Sequence, residues 1–304
     1  MKKIIITCLI IMLAVVGMWA QPLYVGSYNI RYQNNDDARA GNGWQQRCPV
    51  VCGQIAFEHP DIFGTQEVLH GQLHDMLALL TDYDYIGVGR DDGQTKGEYA
   101  AIFYDKNKLR LLDHGNFWLS ETPEKPALGW DAACIRICTW GKFRDRKSRK
   151  TFFFFNLHMD HVGVVARREG AKLVVDRIRQ LAGRKPVVLT GDFNVDQNDE
   201  IYTIFSSSGL LADTYTHARV RFAENGTFNA FKTEYFTQNR IDHVFVSPSA
   251  QVEAYGVLTD SYWTPNERSD VSQKASDAPQ EITFSPYTRR NPSDHYPVFV
   301  RLKF

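Results

Sequence analysis

Short apolar runs that border polar clusters are the strongest constraint on how this chain folds. The run Pro186–Thr190 is followed at once by Gly191–Asn194 (Gly-Asp-Phe-Asn), and Ser293–His295 (Ser-Asp-His) stands directly before the run Tyr296–Leu302. Apolar runs of this length, rich in valine and phenylalanine, are typical of buried β-strands. A rigid sheet can hold carboxylates, amides and imidazoles together at its strand ends. The two clusters therefore predict a sheet whose edge carries a functional site, such as a metal site.

The rest of the chain alternates strands with a few helices. The predicted strands are Leu23–Arg31, Asp61–Glu67, Tyr83–Val88, Glu98–Tyr104, Lys108–Leu119, Cys134–Trp140, Thr151–Leu157, Pro186–Thr190, Arg240–Ser247, Val252–Leu258 and Tyr296–Leu302. The predicted helices are Trp44–Glu58, His70–Leu80 and, from its apolar spacing, a segment from about Val164 to Leu181. This order favours an α/β fold in which two sheets pack face to face and helices cover them.

The chain is predicted to fold as one domain. Its 304 residues are enough for two average domains or for one large α/β domain. No linker rich in proline, glycine or serine divides residues 21–304, which favours the single domain. The polar stretch Thr259–Pro292 has no periodic pattern, so we expect a long loop without regular structure, either functional or disordered.

Residues 1–20 have the composition of a secretory signal peptide. Lys2 and Lys3 precede the apolar run Ile4–Val16, and Ala20 marks a cleavage point before Gln21. An uncleaved membrane anchor is the alternative, but the apolar run is short for a membrane span. No later segment is apolar enough to cross a bilayer. We therefore expect a periplasmic or secreted protein with no stable membrane span after cleavage.

The charge balance bears on the class of partner. The chain has 35 basic and 35 acidic side chains, and removal of Lys2 and Lys3 leaves 33 basic against 35 acidic. Such a chain lacks the basicity of a protein held on nucleic acid by phosphate contacts alone. A nuclease is still compatible with this balance, because a bound metal can supply local positive charge.

Four cysteines follow the leader. Their even number permits disulfides in an oxidising compartment. Cys134 and Cys138 are expected along one strand, too far apart to bond to each other, and Cys48 and Cys52 one turn apart on a helix. A zinc site is the alternative, but the spacing is irregular for one. We predict buried free thiols.

Asn29 and Glu67 each stand at the end of a predicted strand. Taken alone, the amide of Asn29 is most simply explained as a turn cap. A carboxylate such as Glu67 either stabilises a helix N-terminus or binds a hard cation through oxygen.

Glu98 and His158 form a further candidate pair. Glu98 opens the run Glu98–Tyr104, and His158 follows the run Phe152–Leu157. A carboxylate beside an imidazole would orient it and keep it partly protonated, which suits neutralisation of a phosphate oxygen. The alternative is a surface glutamate and an unrelated, packed histidine.

The remaining candidates belong to three strand-end clusters. Asp192 and Asn194 are two residues apart, so both can point to one side and orient water and a phosphoryl oxygen. Asp242 begins a predicted strand, and the adjacent His243 should point the other way, into packing. In Asp294–His295 the imidazole is the expected general base, with a buried aspartate fixing its tautomer.

The order of these clusters resembles the endonuclease/exonuclease/phosphatase superfamily, over almost all of residues 21–304. The matching segments are Asn29, Gln66–Glu67, Glu98, Asn156–His158, Gly191–Asn194, Ile241–His243 and Ser293–His295. Within that superfamily, further segments resemble a secreted bacterial branch related to deadenylase-type nucleases. These segments are Phe117–Pro123, Arg136 before Thr139–Trp140, and Gly226–Phe228.

This resemblance implies a four-layer α/β sandwich and hydrolysis of phosphoesters with Mg²⁺ or Mn²⁺. It implies metal binding by Glu67, with Asn29 beside it and Asp294 contributing. Glu98 and His158 would stabilise the charge that develops on phosphate oxygen.

The resemblance also implies roles around the attacking water. Asp242 would orient His295, the general base for water. Asp192 and Asn194 would position the nucleophile and the phosphate. Most of the catalysis would then come from positioning and charge neutralisation.

The scaffold does not select the substrate, since one fold serves many activities. We favour a phosphodiesterase or nuclease acting on RNA or DNA. The alternatives are a phosphatase or phospholipase acting on inositol phosphate, another phosphorylated small molecule or a lipid head group, and a non-catalytic binding protein. We expect a monomer. Side chains near loops that could stack on a base, a sugar or a head group are Trp118, Trp130, Arg136, Tyr262, Trp263, Tyr287 and Arg289.

Overall fold

The computed structural model describes residues 22–222, 225–274, 277 and 279–304. The proposed signal peptide, residues 1–20, lies outside the described residues. The strands are β1 (Leu23–Asn29), β2 (Ile62–Gln66), β3 (Tyr83–Ile86), β4 (Ile102–Asp105), β5 (Leu109–Trp118), β6 (Ile137–Asp145), β7 (Thr151–His158), β8 (Val187–Asp192), β9 (Ala212–Asp213), β10 (Val220–Phe222), β11 (Asp242–Val246), β12 (Gln251–Val257), β13 (Tyr262–Pro265), β14 (Tyr287–Arg290) and β15 (Val298–Lys303). The helices are α1 (Asn35–Arg39), α2 (Trp44–Glu58), α3 (His70–Leu79), α4 (Val164–Ala182), α5 (Glu200–Ser206) and α6 (Thr214–His217).

Two large mixed sheets form the centre of the molecule. One sheet has seven strands in the order β10-β12-β15-β1-β2-β4-β3, and the other has six in the order β5-β6-β7-β8-β11-β9. In the first sheet β1 pairs in parallel with β2 and antiparallel with β15. In the second sheet β8 pairs in parallel with β7 and antiparallel with β11. Helices flank both sheets, which confirms the predicted α/β sandwich.

Three apolar clusters fill the spaces between the layers. Phe154 and Val300 belong to the cluster between the two sheets. On one outer face α2 and α3 pack on the seven-stranded sheet, for example through Val51 and Phe103. On the other, α4 packs on the six-stranded sheet, for example through Val174. The layers are therefore helix, sheet, sheet and helix.

A polar side chain, Asn156 of β7, crosses the interior from one sheet to the other. Its amide nitrogen donates to the carbonyl oxygens of Thr65 at 2.8 Å and Ala101 at 2.9 Å. Its amide oxygen accepts from Gln66 Nε2 at 2.7 Å and Thr190 Oγ1 at 3.0 Å. All four hydrogen-bonding positions of the amide are thus used, as a buried polar group requires.

Gly64 provides the space for this crossing. A Cβ atom at residue 64 would lie 2.2 Å from Asn156 Oδ1 and 2.4 Å from Thr190 Oγ1. Only the missing side chain of glycine lets β2 approach the amide this closely.

The structure corrects three of the predicted elements, and one of these, Glu98–Tyr104, is a strand only from Ile102 onward. Thr259–Pro292 is not without regular structure, because β13 and β14 pair antiparallel within it. Arg290 of β14 donates to Asn42 Oδ1 at 3.0 Å. The predicted strand Cys134–Trp140 begins only at Ile137. A local sequence pattern does not reveal a short ribbon that depends on pairing across more than twenty residues.

The four cysteines among the described residues are free, as predicted. Cys48 and Cys52 are buried one turn apart on α2, and Cys138 is buried in β6. Cys134 is half-buried and precedes β6, so the expectation that it shares a strand with Cys138 is wrong. Within the part of the chain that the structure describes, no helix combines the length and apolar character needed to span a membrane.

The Asn156 network gives a first testable prediction. We expect Asn156→Ala to lower the free energy of unfolding by roughly 2–4 kcal/mol, because it leaves buried carbonyl, amide and hydroxyl groups unpaired. Denaturant unfolding followed by circular dichroism measures the change. Asn198→Ala, at an exposed position, is the control and should stay within about 0.5 kcal/mol of wild type. Equal stability of Asn156→Ala and wild type would contradict the bridging role.

Candidate active site

Four site residues lie on the inner faces of the sheets, at one end of the sandwich. Asn29 ends β1, His158 ends β7, Asp192 ends β8 and Asp242 begins β11. The register pairs His158 with Asp192 and Asp192 with Asp242, so these three stand in a row across neighbouring strands. Directly paired residues point to the same face of a sheet. The row therefore faces the ends of β1 and β2.

The amide of Asn29 joins the two sheets at the site. Its nitrogen donates to Glu67 Oε1 and to Asp192 Oδ2, both at 3.0 Å, and lies 3.4 Å from His295 Nε2. Its oxygen accepts from the backbone N–H of Arg31. Asn29 therefore positions two carboxylates and offers its nitrogen to the site. Binding of a hard cation requires an oxygen ligand. The observed orientation of the amide therefore differs from the prediction that places Asn29 among the metal-binding residues.

His295 forms a buried pair with Asp242. The distance from His295 Nδ1 to Asp242 Oδ2 is 2.8 Å, and His295 Nε2 lies 3.7 Å from Asp192 Oδ2. Burial lowers the pKa of His295, but the two carboxylates outweigh burial and raise this pKa well above its ordinary value. The imidazolium form of His295 is therefore favoured in this arrangement.

Asp192 is held by three neighbours. Its Oδ1 accepts from the backbone N–H of Asn194 at 3.0 Å, and its Oδ2 accepts from Asn29 and lies 3.5 Å from His158 Nε2. Burial raises the pKa of Asp192 to about 7, with His295 opposing the shift. Asn194 adopts a left-handed backbone conformation and its side chain donates to the carbonyl of Met159. This turn keeps both residues of the predicted pair at the site.

Glu98 and His158 lie near each other, but Arg90 is the closer partner of Glu98. The guanidinium of Arg90 donates to both carboxylate oxygens of Glu98, at 2.6 Å and 3.0 Å. His158 Nδ1 is 3.8 Å from Glu98 Oε2. Burial, followed by the charges of Arg136 and Arg90, lowers the pKa of His158 well below its ordinary value. The expectation that Glu98 keeps His158 partly protonated is therefore wrong.

Glu67 and Asp294 form an acidic pair on the seven-stranded side. Arg31 Nη1 lies between them, 3.8 Å from Glu67 Oε2 and 3.5 Å from Asp294 Oδ2. Burial raises the pKa of Asp294 and the charge of His295 lowers it, and the net shift of this pKa is upward. Carboxylate oxygens that have no close cationic partner are suitable ligands for a hard divalent cation.

Two groups of buried residues have the geometry to hold a metal ion, and they share Asp192. Ligand atoms of Glu67, His158 and Asp192 all lie within 4.8 Å of one another, and so do those of Asp192, Asp242 and His295. Of the predicted metal residues, Glu67 belongs to the first group, and Asp294 belongs to neither.

The site opens into a cavity of about 420 Å³, called the catalytic cavity below. Seven of the nine predicted site residues line it, and Asn29 and Asp242 lie behind them. The lining residues are Arg31, Tyr32, Glu67, Arg90, Glu98, Cys134, Arg136, His158, His161, Asp192, Asn194, Phe228, Ile241, Asp294 and His295. The cavity is thus lined by carboxylates that are interleaved with guanidinium and imidazole groups.

The arrangement of the arginine side chains that line the catalytic cavity is what the sequence did not reveal. Arg90 lies in a loop eight residues before its partner Glu98, without a pattern that marks it. Arg136, noted above only for stacking, donates through Nε to Asp160 at 3.2 Å, and its Nη2 lies 2.9 Å from His161 Nδ1. The only available signal for Arg31 was its closeness to Asn29 in the chain.

His243 packs in the core, as predicted. Its Nε2 lies 3.0 Å from the carbonyl oxygen of Val195, and its ring contacts Phe193, Tyr202 and Phe245. It points away from the row that contains Asp242.

Comparison with known proteins finds one matching family model. The model described as the Endonuclease/Exonuclease/phosphatase family matches residues 26–295. This span contains all nine predicted site residues, from Asn29 to His295.

Individual proteins resemble the chain to different degrees. The mannosyl-6-phosphatase Bt3783 of Bacteroides thetaiotaomicron is 48% identical, with a TM-score of 0.86 over 93% of this chain and 100% of that chain. Protein L388 of Acanthamoeba polyphaga mimivirus is 32% identical over 228 residues, which are 72% of this chain and 77% of that protein. The catalytic domain of human Nocturnin is 17% identical with a TM-score of 0.66, over 94% of this chain and 95% of that domain, a likeness of fold alone.

The His295–Asp242 pair gives a second testable prediction. We expect Asp242→Asn to lower the pKa of His295, because a neutral amide no longer stabilises the imidazolium. Nuclear magnetic resonance titration of the histidine rings in metal-free protein measures this pKa. The signal of the exposed His114 ring should not respond to the substitution and serves as internal control. An unchanged His295 titration would rule out Asp242 as the main source of the shift.

Proposed function

The chain belongs to the endonuclease/exonuclease/phosphatase family, and we propose on this basis that it is a metal-dependent phosphatase that releases phosphate from a phosphorylated sugar. Membership supports hydrolysis of phosphoesters in general. The sugar phosphate as substrate is supported by the 48% identity, over 93% of the chain, with the mannosyl-6-phosphatase Bt3783. The polar catalytic cavity, lined by buried carboxylates together with guanidinium and imidazole groups, is the observation that carries the proposal.

Mg²⁺ or Mn²⁺ is the proposed cofactor. Glu67 and Asp294 would hold it, since both carboxylates are buried and Arg31 stays 3.5 Å or more from their oxygens. Such a pair suits a hard, oxygen-preferring cation. When bound, the ion would polarise a phosphoryl oxygen and neutralise part of the negative charge of the phosphate.

Asp192 and Asn194 are proposed to orient the attacking water. Asp192 Oδ2 faces the catalytic cavity between His158 and Asn29, and a buried carboxylate with a raised pKa can accept a proton from water. This role differs from the prediction that His295 is the general base. His295 lies between the carboxylates of Asp242 and Asp192, which favours its charged form and leaves it no free acceptor nitrogen.

His295 is instead proposed to bind a phosphoryl oxygen through Nε2. Neutral His158 and the guanidinium of Arg136, which both line the cavity, would bind the other phosphoryl oxygens. Arg90 fixes the carboxylate of Glu98, and this pair holds the wall beside His158. Fixed donors of this kind stabilise charge that develops in the transition state without reorganisation.

Export and a monomeric state are also proposed. Export rests on the pattern of residues 1–20, which is typical of a signal peptide. A secreted phosphatase would act on phosphorylated glycans outside the cytoplasm.

A third testable prediction concerns His295. We expect His295→Ala to lower kcat for mannose 6-phosphate by about 10²- to 10³-fold, because one donor to the transition state is lost. Phosphate release in the presence of Mg²⁺ or Mn²⁺ measures the effect, and His114→Ala, at an exposed position, is the control. If wild-type protein releases no phosphate with either metal, the phosphatase proposal fails.

A fourth prediction concerns the metal. We expect Glu67→Gln to weaken Mg²⁺ and Mn²⁺ binding by about tenfold or more, because a charged oxygen ligand becomes neutral. Isothermal titration calorimetry measures this affinity independently of turnover. Glu253→Gln, whose carboxylate pairs with Lys303, is the matched control. Equal metal affinity in Glu67→Gln and Glu253→Gln would remove Glu67 from the metal site.

The nuclease alternative is tested with the same preparations. Incubation of wild-type protein with single-stranded RNA and DNA, with and without metal, separates the two activities. If the protein cleaves the oligonucleotides and does not hydrolyse mannose 6-phosphate, a nuclease function replaces the phosphatase proposal. Metal binding without turnover of any phosphoester would favour the non-catalytic alternative.

A further inference from the structure

A second cavity lies beside the catalytic cavity. It has a volume of about 280 Å³, and the ring of Phe228 lines both cavities. Phe228 forms an isolated antiparallel bridge with His295, and the two rings meet edge to face with centroids 5.0 Å apart. The two cavities are therefore neighbours that share Phe228 as a common wall.

Exposed aromatic rings dominate this second cavity, called the aromatic cleft below. Phe228 is 42% exposed, Tyr235 is 69% exposed and Phe236 is 70% exposed, and half-buried Tyr296 also lines the cleft. Large rings left open to water in a concave surface mark a place where an apolar face can bind. The cleft therefore offers stacking surfaces next to the phosphate site.

The polar groups of the aromatic cleft are uncharged. Amide and hydroxyl groups of Asn225 and Thr237 line it, and no charged side chain does so among the described residues, which leave out 223–224. Outside this lining, Lys232 Nζ lies 6.0 Å from the centroid of the Tyr235 ring. The catalytic cavity, in contrast, is lined by Arg31, Arg90 and Arg136. A polynucleotide would bring a further phosphate into the neighbouring space, and this phosphate would require a cation. A neutral ring with hydroxyl groups requires only an apolar face and a few polar contacts.

Backbone contacts hold the aromatic cleft against the catalytic strands. The N–H of Gly226 donates to the carbonyl oxygen of Thr237 at 2.5 Å. The N–H of Tyr296 donates to the carbonyl oxygen of Thr227 at 2.7 Å. A Cβ atom at residue 226 would lie 2.2 Å from the carbonyl oxygen of Asn239, so glycine is required there. The cleft is thus preformed, which lowers the entropy lost when a ligand binds.

We propose that the aromatic cleft binds the neutral sugar ring of the leaving group while the catalytic cavity holds its phosphate. This inference rests on the proposed phosphatase function and adds a site for the part of the substrate that is not phosphorylated. Tyr235 and Phe236 stack on the apolar face of the ring, and Asn225 and Thr237 bind its hydroxyl groups.

Two substrates that differ in the leaving group test the proposal. Mannose 6-phosphate carries a ring, and glycerol 2-phosphate carries none. We expect Tyr235→Ala and Phe236→Ala each to lower kcat/KM for mannose 6-phosphate about fivefold to tenfold, chiefly through KM. Turnover of glycerol 2-phosphate should change less than about twofold. Phe236→Tyr keeps the ring and should retain most of the wild-type kcat/KM for mannose 6-phosphate.

Phe57→Ala is the matched control, because Phe57 is 88% exposed on α2 and lines neither cavity. It should leave both substrates unaffected. Equal losses for both substrates in Phe236→Ala, or no loss for either, would overturn the proposal. An effect on cleavage of an RNA dinucleotide, with none on mannose 6-phosphate, would overturn it as well.

A binding measurement separates this proposal from the proposed function. Methyl α-mannoside has the ring but no phosphate, and its binding is followed by nuclear magnetic resonance line broadening. If methyl α-mannoside binds more weakly to Phe236→Ala than to wild type, this supports sugar binding in the aromatic cleft, even where neither phosphate ester is hydrolysed. Binding that Tyr235→Ala and Phe236→Ala leave unchanged overturns the assignment of the cleft, whatever the phosphatase assay gives.

Discussion

The four hydrogen bonds of Asn156 are the constraint on which the rest of the structure depends. Two packed sheets held only by apolar side chains can slide, because hydrophobic contacts have little directional preference. A buried amide that binds both sheets fixes one register, since any shift leaves several polar groups unpaired. The site lies at the next inward-facing positions of the same strands, where β7 ends at His158 and β8 ends at Asp192. Its geometry is therefore set by the interior that precedes it.

Charge compensation is the second constraint. Four carboxylates, those of Glu67, Asp192, Asp242 and Asp294, are buried in one small region. Burying charges without partners costs several kcal/mol per group. Here each carboxylate has an amide, imidazole or guanidinium neighbour, yet several of these contacts are longer than 3.4 Å. The negative charge is held in place and incompletely neutralised, which is the state that favours binding of a divalent cation.

The sequence predicted the sandwich and singled out nine candidate residues that the structure brings together at one cavity. Both results depend on local patterns: apolar runs of strand length and polar residues at their ends. What it missed depends on tertiary contacts. The Arg90–Glu98 pair forms across a loop, and the charge state of His295 depends on Asp242, fifty-three residues earlier in the chain. The stacking candidates Trp118 and Trp263 line neither cavity, whereas Phe228, Tyr235 and Phe236 form the aromatic cleft.

The two cavities divide binding between strand ends and a loop. Phosphate would be held mainly by residues at strand ends, whose positions follow from the register of both sheets. The leaving group would be held by the segment 225–237, which lies between β10 and β11 and contains no strand. It is tied to β11 where Thr227 Oγ1 accepts from the N–H of Asp242. Loops of this kind accept substitutions that a sheet interior does not. Under the proposed function, a side-chain substitution in this segment would therefore alter which alcohol is released, while the groups at the strand ends stay in place.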